Sequence, residues 1–133
     1  MGGSVRVLTT VKPLWKTPIG KQVVENFKKY KSEQIKPIIF GRDAPLSRPT
    51  DAKFAELHHI HIGNFNEITR QYSRTSDSWL IYTVRIENPN CFLLIDILTP
   101  NAHKDAERHS IMQPYIDAAE SFRSANLPTP NCR

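Results

Sequence analysis

The sequence predicts an α+β fold, in which an antiparallel sheet carries an N-terminal helix and C-terminal helices packed on one side. Three patterns indicate this fold: an amphipathic helical segment near the N-terminus, an apolar hairpin, and helical periodicity near the C-terminus. The chain has 133 residues, of which 39% are hydrophobic and 23% charged, as in many globular domains. We expect residues 1–133 to form a single domain, with about 1–4 and 127–133 flexible.

The first predicted elements are a strand and a helix. Arg6 to Val11 is rich in β-branched residues, which favour strands. Thr17 and Pro18 are residue types preferred at the N-cap and the first position of a helix. Apolar residues then recur at spacings of three and four, which gives the predicted helix one apolar face: Ile19, Val23, Phe27 and Tyr30.

The next segment contains a predicted loop and a histidine-rich strand. Gly41 to Lys53 contains two prolines and several short polar residues, so we expect a loop. Leu57 to Ile62 alternates in the manner of a strand, and this alternation places His59 and His61 on the same side.

A hairpin is the clearest β structure in the sequence. Trp79 to Glu87 and Cys91 to Thr99 read as strands, and the turn-forming triplet Asn88-Pro89-Asn90 joins them into an antiparallel pair. Leu93 to Ile95 is apolar on both faces, which indicates a central, covered strand. Asp96 follows this run and needs a polar partner if it is buried.

Two helices are predicted after the hairpin. Asn101 is placed to cap a short helix that runs to about Met112. Pro114 then begins a second helix, because proline is favoured at the first helical position. The apolar residues of this second helix share one face: Tyr115, Ala118, Ala119 and Phe122.

Charge and hydropathy restrict the class of protein. The formal net charge is +5, which favours polyanions or acidic proteins as partners. The sequence contains no run of about 18 apolar residues and no signal-peptide core, so we expect a cytoplasmic protein that does not act at a membrane.

The His59–His61 pair is the first candidate for chemistry. Two imidazoles on one face of a strand can transfer protons on one substrate or bind one metal ion, although a pair of surface histidines has the same pattern. His103 is the only obvious third imidazole ligand, and no cysteine pair accompanies it. We therefore predict a site that uses neither a metal nor another cofactor.

Cationic and hydroxyl side chains nearby are candidates for binding phosphate. The segment before the Trp79 strand supplies Arg70, Ser73, Arg74 and Thr75, and Asp77 could orient Arg74 or an imidazole. An ordinary polar turn with a local Arg–Asp pair would have the same composition.

Two further candidates lie elsewhere in the chain. His103 and Lys104 lie at a predicted strand-to-helix junction, where backbone N–H groups can also face an anion. Arg42 could bind phosphate, or it could pair with Asp43 to order the predicted loop.

These segments together resemble the YafO family of bacterial toxins over about Arg6 to Arg123. The resemblance implies the RelE/ParE-like fold, a type II toxin–antitoxin system, cleavage of translated mRNA at the ribosome, and inhibition by a cognate acidic antitoxin. The chain departs from the family in the Pro45–Leu57 loop and after Arg123, which leaves substrate preference open. The blocks that carry the resemblance are Ile39–Ala44, His59–His61, Arg70–Asp77, Leu93–Leu98, His103-Lys104 and Met112 with Ala118–Arg123.

The resemblance also implies a mechanism, in which the RNA 2′-hydroxyl attacks the adjacent phosphate. His59 or His61 would then be the base and His103 the acid, with Arg74, Arg70 and Lys104 on the phosphate. A DNA-nicking enzyme of the same fold remains an alternative, because phosphate contacts read either polymer. A non-catalytic inhibitor of a protein such as gyrase is a third hypothesis.

Overall fold

A five-stranded mixed sheet organises the protein in the computed structural model, which describes residues 5–34, 36–65, 71 and 74–124. The strands are β1 (Arg6–Thr9), β2 (Phe40–Pro45), β3 (His58–Ile62), β4 (Trp79–Val84) and β5 (Cys91–Leu98). Their order across the sheet is β1-β5-β4-β3-β2. The predicted antiparallel sheet is correct for every pair except one, because the edge strand β1 runs parallel to β5.

A 3₁₀ turn (Pro13–Lys16) and four α-helices complete the described part of the chain. The helices are α1 (Pro18–Ser32), α2 (Thr50–Phe54), α3 (Ala102–Asp105) and α4 (His109–Ser124). The predicted α+β class is confirmed, and the predicted flexible ends lie outside the described residues. Across the described ranges, every helix is too short or too polar to span a bilayer.

Helices cover both faces of the sheet, so the prediction of helices on one side is wrong. On one face, Val23 and Phe27 of α1 pack in a core with Ile60 of β3. On the other face, Met112 and Ile116 of α4 belong to a second core. Residues 92–95 of β5 are buried on both faces, so each face of this strand requires a cover.

The predicted loop from Gly41 to Lys53 contains most of β2 and most of α2. The prolines misled the prediction, because Pro45 lies at the end of an edge strand, where a missing N–H group is tolerated.

A glycine is required at position 41 because the chain passes close to Arg74 there. A Cβ atom at this position would clash with the backbone carbonyl of Arg74, which accepts a hydrogen bond from the Arg42 N–H group (2.8 Å).

The C-terminal helices differ from the prediction in their boundaries. The first helix ends at Asp105, and the second begins at His109 and includes Pro114 in its second turn. The helix continues through the proline because its apolar face, including Met112 and Ile116, is buried in the core. Asp96 has the predicted partner, since the Tyr115 hydroxyl donates to its carboxylate at 2.6 Å.

A half-buried carboxylate joins α1 to the sheet. Asp43 accepts hydrogen bonds from the hydroxyls of Tyr30 (2.7 Å) and Tyr82 (2.8 Å), and Lys31 Nζ lies 3.6 Å from it. Burial, together with the Asp43 charge, raises the pKa of both tyrosines above their ordinary value. Asp43 therefore serves a network between α1, β2 and β4.

Candidate active site

A cavity of about 610 Å³ lies between β3, the segment after β2 and the segment around α3. All three predicted imidazoles line it, those of His59, His61 and His103. Arg42 lines the same cavity. The structure thus brings together four predicted site residues that are up to 61 positions apart in the sequence.

The strand alternation of β3 determines which histidines reach the cavity. The ring centroids of His59 and His61 are 5.2 Å apart, and the two residues are only 9% and 6% exposed. His58 lies on the opposite side, where its ring stacks on Tyr82 at 5.2 Å. The prediction that His59 and His61 share one face is confirmed.

His59 is held as a neutral imidazole. Its Nδ1–H group donates to the carbonyl of Ala44 (2.8 Å), which leaves Nε2 as the unprotonated ring nitrogen. Burial lowers the pKa of His59 to about 4, while the hydrogen bond to Ala44 acts in the opposite direction. The ring is therefore neutral at physiological pH, and Nε2 can accept a proton.

His61 is held by the backbone of Ser76 rather than by another strand. Its Nδ1 atom lies 2.7 Å from the Ser76 N–H group and 2.9 Å from the Ser76 carbonyl oxygen. The Ser76 N–H group can only donate, so Nδ1 of the neutral ring accepts this hydrogen bond and the ring proton lies on Nε2. Burial lowers the pKa of His61 as well.

Trp79 lies among the three imidazoles and was missed as a site residue in the sequence. Its ring centroid is 4.4 Å from that of His59, 5.5 Å from that of His61 and 6.2 Å from that of His103. Its indole N–H group donates to the Ser76 carbonyl (3.0 Å). The pairing of β3 with β4 places Trp79 opposite His61, and no local pattern reveals that register.

Asp77 positions His103 through the main chain. The Asp77 carboxylate accepts from the His103 backbone N–H group (2.7 Å), and the Asp77 carbonyl accepts from Ala102 (2.9 Å). Asn101 occupies the predicted N-cap position of α3 but makes no side-chain cap, so Asp77 provides it instead. Asp77 therefore orients the backbone of a histidine rather than its ring.

Among the residues that the structure describes, the other predicted phosphate-binding residues do not line the cavity. Arg74 is 8% exposed, and its guanidinium group donates to the carbonyls of Phe40 (3.2 Å) and Pro37 (3.4 Å). Thr75 and Lys104 are exposed outside the lining. Arg70 and Ser73 lie outside the described residues.

Three charged or titratable lining residues were not predicted from the sequence. Arg48 comes from the segment between β2 and α2, whereas Glu107 and His109 follow α3. Within the described part of the chain, Arg42 and Arg48 give the lining two cationic groups and Glu107 gives it one carboxylate. Among the residues that the structure describes, no three His, Cys, Asp or Glu side chains are grouped as metal ligands.

The buried imidazoles make stability depend on pH. Unfolded His59 would be protonated below its ordinary pKa of 6.5, whereas folded His59 stays neutral until about pH 4. The unfolded chain binds more protons in this window, so the free energy of unfolding should fall by about 2 kcal/mol as the pH is lowered from 7 to 4.5. Urea unfolding at both pH values measures this loss.

The control for this prediction is a pair of glutamine variants. His59→Gln keeps an N–H donor for Ala44 but does not titrate, so its stability should fall less in acid. His58→Gln, on the opposite face, should lose nearly as much stability in acid as the parent protein. Equal losses in His59→Gln and the parent would contradict the assignment.

Comparisons with known proteins agree on one family. The family model described as "Toxin YafO, type II toxin-antitoxin system" matches residues 28–124. The chain is 37% identical over 107 residues to a protein of Escherichia coli (strain K12) named "mRNA interferase toxin YafO". That alignment covers 74% of this chain and 80% of the relative. No solved structure matches the chain.

Proposed function

This chain belongs to the YafO family of type II toxin–antitoxin toxins, and from that premise we propose that it cleaves mRNA in the histidine-lined cavity. The convergence of His59, His61 and His103 with Arg42 is the observation that carries the proposal. Imidazoles supply the proton transfers that RNA cleavage needs, and guanidinium groups bind the phosphate. Such a toxin would act in the cytoplasm, where mRNA is translated.

His59 is our candidate for the general base. Its Nε2 atom would accept the proton of the RNA 2′-hydroxyl while the 2′-oxygen attacks the adjacent phosphorus. The bond from phosphorus to the 5′-oxygen then breaks, giving a 2′,3′-cyclic phosphate and a 5′-hydroxyl end. His59 suits this role because burial keeps its imidazole unprotonated.

The acid is assigned by exposure. Burial disfavours the imidazolium form of His59 and His61, whereas the His103 side chain is exposed at the cavity. We assign His103 to protonate the leaving 5′-oxygen. The neutral His61 would instead donate a hydrogen bond from Nε2 to a phosphate oxygen as charge develops on it.

Arg42 is our candidate for binding the scissile phosphate. Arg42→Ala should weaken substrate binding about tenfold, because a hydrogen bond to a charged group contributes about 1.5–3 kcal/mol. The measurement is KM for RNA cleavage, with KM expected to change more than kcat. Arg6→Ala removes the same charge from an exposed position on β1, at the opposite edge of the sheet, and should leave KM unchanged. Equal effects of the two variants would contradict a specific role for Arg42.

The test of the function uses the products. The purified toxin is incubated with an mRNA, with and without translating ribosomes, and the fragment ends are mapped. We expect 2′,3′-cyclic phosphate and 5′-hydroxyl ends, and no cleavage when the mapped nucleotide carries a single 2′-deoxy substitution. Fragments that form only with ribosomes would identify the ribosome as a partner.

Three results would contradict this mechanism. Cleavage of the 2′-deoxy RNA would exclude the 2′-hydroxyl as nucleophile. Nicking of supercoiled plasmid without RNA cleavage would favour the DNA enzyme instead. Growth arrest without cleavage of either polymer would favour the non-catalytic inhibitor.

The antitoxin is proposed to neutralise the cationic lining. An acidic segment that folds over Arg42 and Arg48 would block the phosphate site and compensate its charge. The affinity of the complex should then decrease as salt is raised, which titrations at several ionic strengths would measure. An affinity that does not change with salt would contradict this mode of inhibition.

A further inference from the structure

The main chain of Ser76 connects His61 to Trp79. The Ser76 N–H group and carbonyl oxygen both lie within 3 Å of His61 Nδ1, at 2.7 Å and 2.9 Å. The same carbonyl oxygen accepts the indole N–H group of Trp79 at 3.0 Å. The imidazole can therefore form either of two hydrogen bonds, one with the Ser76 N–H group and one with the Ser76 carbonyl oxygen. The indole N–H group competes for the carbonyl oxygen.

The two alternatives correspond to two tautomers of neutral His61. With the proton on Nε2, Nδ1 accepts from the Ser76 N–H group. With the proton on Nδ1, the ring would donate to the Ser76 carbonyl oxygen, and the Ser76 N–H group would face a second donor. The first tautomer satisfies both main-chain groups of Ser76, because Trp79 already supplies a donor to the carbonyl oxygen.

We propose that Trp79 is a positioning residue that, through Ser76, keeps the proton of His61 on Nε2. The indole acts in two ways. Its N–H group already donates to the carbonyl oxygen, so a second hydrogen bond there, from His61 Nδ1, would stabilise the other tautomer less. Its ring packs against the rings of both His61 and His59, which resists a flip of either imidazole. Ser76 is itself fixed by hydrogen bonds between its hydroxyl and the backbone of Ser78.

The consequence for catalysis rests on the proposed function. Ala44 fixes His59 with a bare Nε2 atom, whereas Ser76 and Trp79 fix His61 with a protonated Nε2 atom. Two neighbouring and chemically identical side chains thus present one acceptor and one donor to the cavity. The ribose 2′-hydroxyl requires an acceptor for its proton, and the phosphate oxygen requires a hydrogen-bond donor.

The test is the tautomeric state of His61, measured from imidazole nitrogen shifts in ¹H–¹⁵N long-range spectra and assigned with His61→Gln. In the parent protein at about pH 7.5, we expect the pattern of a proton on Nε2. Trp79→Phe removes the indole donor and should raise the Nδ1–H fraction relative to Nε2–H about tenfold, the equivalent of one hydrogen bond. A parent protein with the proton on Nδ1, or a Trp79→Phe protein with the parent ratio, would overturn the proposal.

The chain offers a matched control in Trp15. This residue is also buried, and its indole N–H group donates to the Thr10 hydroxyl at 3.1 Å in the core on the other face. Trp15→Phe should leave the tautomer ratio of His61 unchanged, and an equal change in both variants would overturn a specific role for Trp79. If Trp79→Phe fails to fold, benzothienylalanine at position 79 keeps the ring shape, removes the N–H group and decides the same question.

The tautomer measurement is independent of RNA. If the toxin proves not to cleave RNA, the proposed function fails, but the nitrogen shifts still report whether Trp79 controls His61. If cleavage is confirmed and the shifts do not respond to Trp79→Phe, only the positioning role fails.

Discussion

His59→Ala is expected to lower the rate of RNA cleavage by about 10²–10⁴-fold, the usual contribution of a general base. The variant removes Nε2, which in our mechanism accepts the proton of the 2′-hydroxyl. It should change kcat far more than KM, because the proton is transferred in the transition state and not on binding. Single-turnover cleavage measures this effect directly, and loss of growth arrest on induction measures it in cells.

His58 supplies the control, since it is the preceding residue of the same strand. It lies on the opposite side of β3, where it stacks on Tyr82 and its Nε2 atom is 3.6 Å from the Glu56 carboxylate. His58→Ala should therefore leave cleavage within a few-fold of the parent rate. If His58→Ala and His59→Ala reduced cleavage equally, or if His59→Ala cleaved normally, the base would have to be sought elsewhere.

The histidine pair was predictable because its geometry is local. Side chains two residues apart on a strand share a face whatever the rest of the chain does, so His59 and His61 had to lie side by side once β3 formed. The Thr17 cap of α1 is local in the same sense, and its hydroxyl accepts from Gly20 as expected.

The rest of the cavity depends on which segments meet. Trp79 joins the histidines because β4 pairs with β3 in one register, which is determined by packing across both cores. Arg48 and Glu107 come from connecting segments whose course no periodicity describes. A sequence pattern can suggest that such residues bind a ligand, but it cannot place them in one cavity.

Arg74 was predicted to bind phosphate, but the structure gives it a different role. An arginine among hydroxyl residues has the composition of a phosphate site, but here its guanidinium group is buried against two backbone carbonyls. The close approach of this segment to β2 requires a glycine at position 41, which is a tertiary contact. Composition therefore suggested a phosphate-binding arginine at a position where the structure shows a buried one that binds backbone carbonyls.

Asp43→Ala is expected to reduce the free energy of unfolding by about 3 kcal/mol. The substitution leaves the hydroxyls of Tyr30 and Tyr82 without their acceptor and Lys31 without its anion. Each hydrogen bond to a charged group contributes about 1.5–3 kcal/mol, and the Tyr82 side chain, which is 3% exposed, cannot easily reach water. Urea unfolding measures the loss, and Asp117→Ala, at an exposed position on α4, should change stability by less than about 0.5 kcal/mol.

The same variant should also reduce cleavage, because Asp43 lies between two residues that serve the cavity. Arg42 lines the cavity, and the Ala44 carbonyl accepts a hydrogen bond from the Nδ1–H group of His59. Tyr30 and Tyr82 hold β2 from the opposite face, so the position of both neighbours depends on the Asp43 network. If Asp43→Ala lost stability but retained full activity under conditions where it is folded, β2 would be positioned by its pairing with β3 alone.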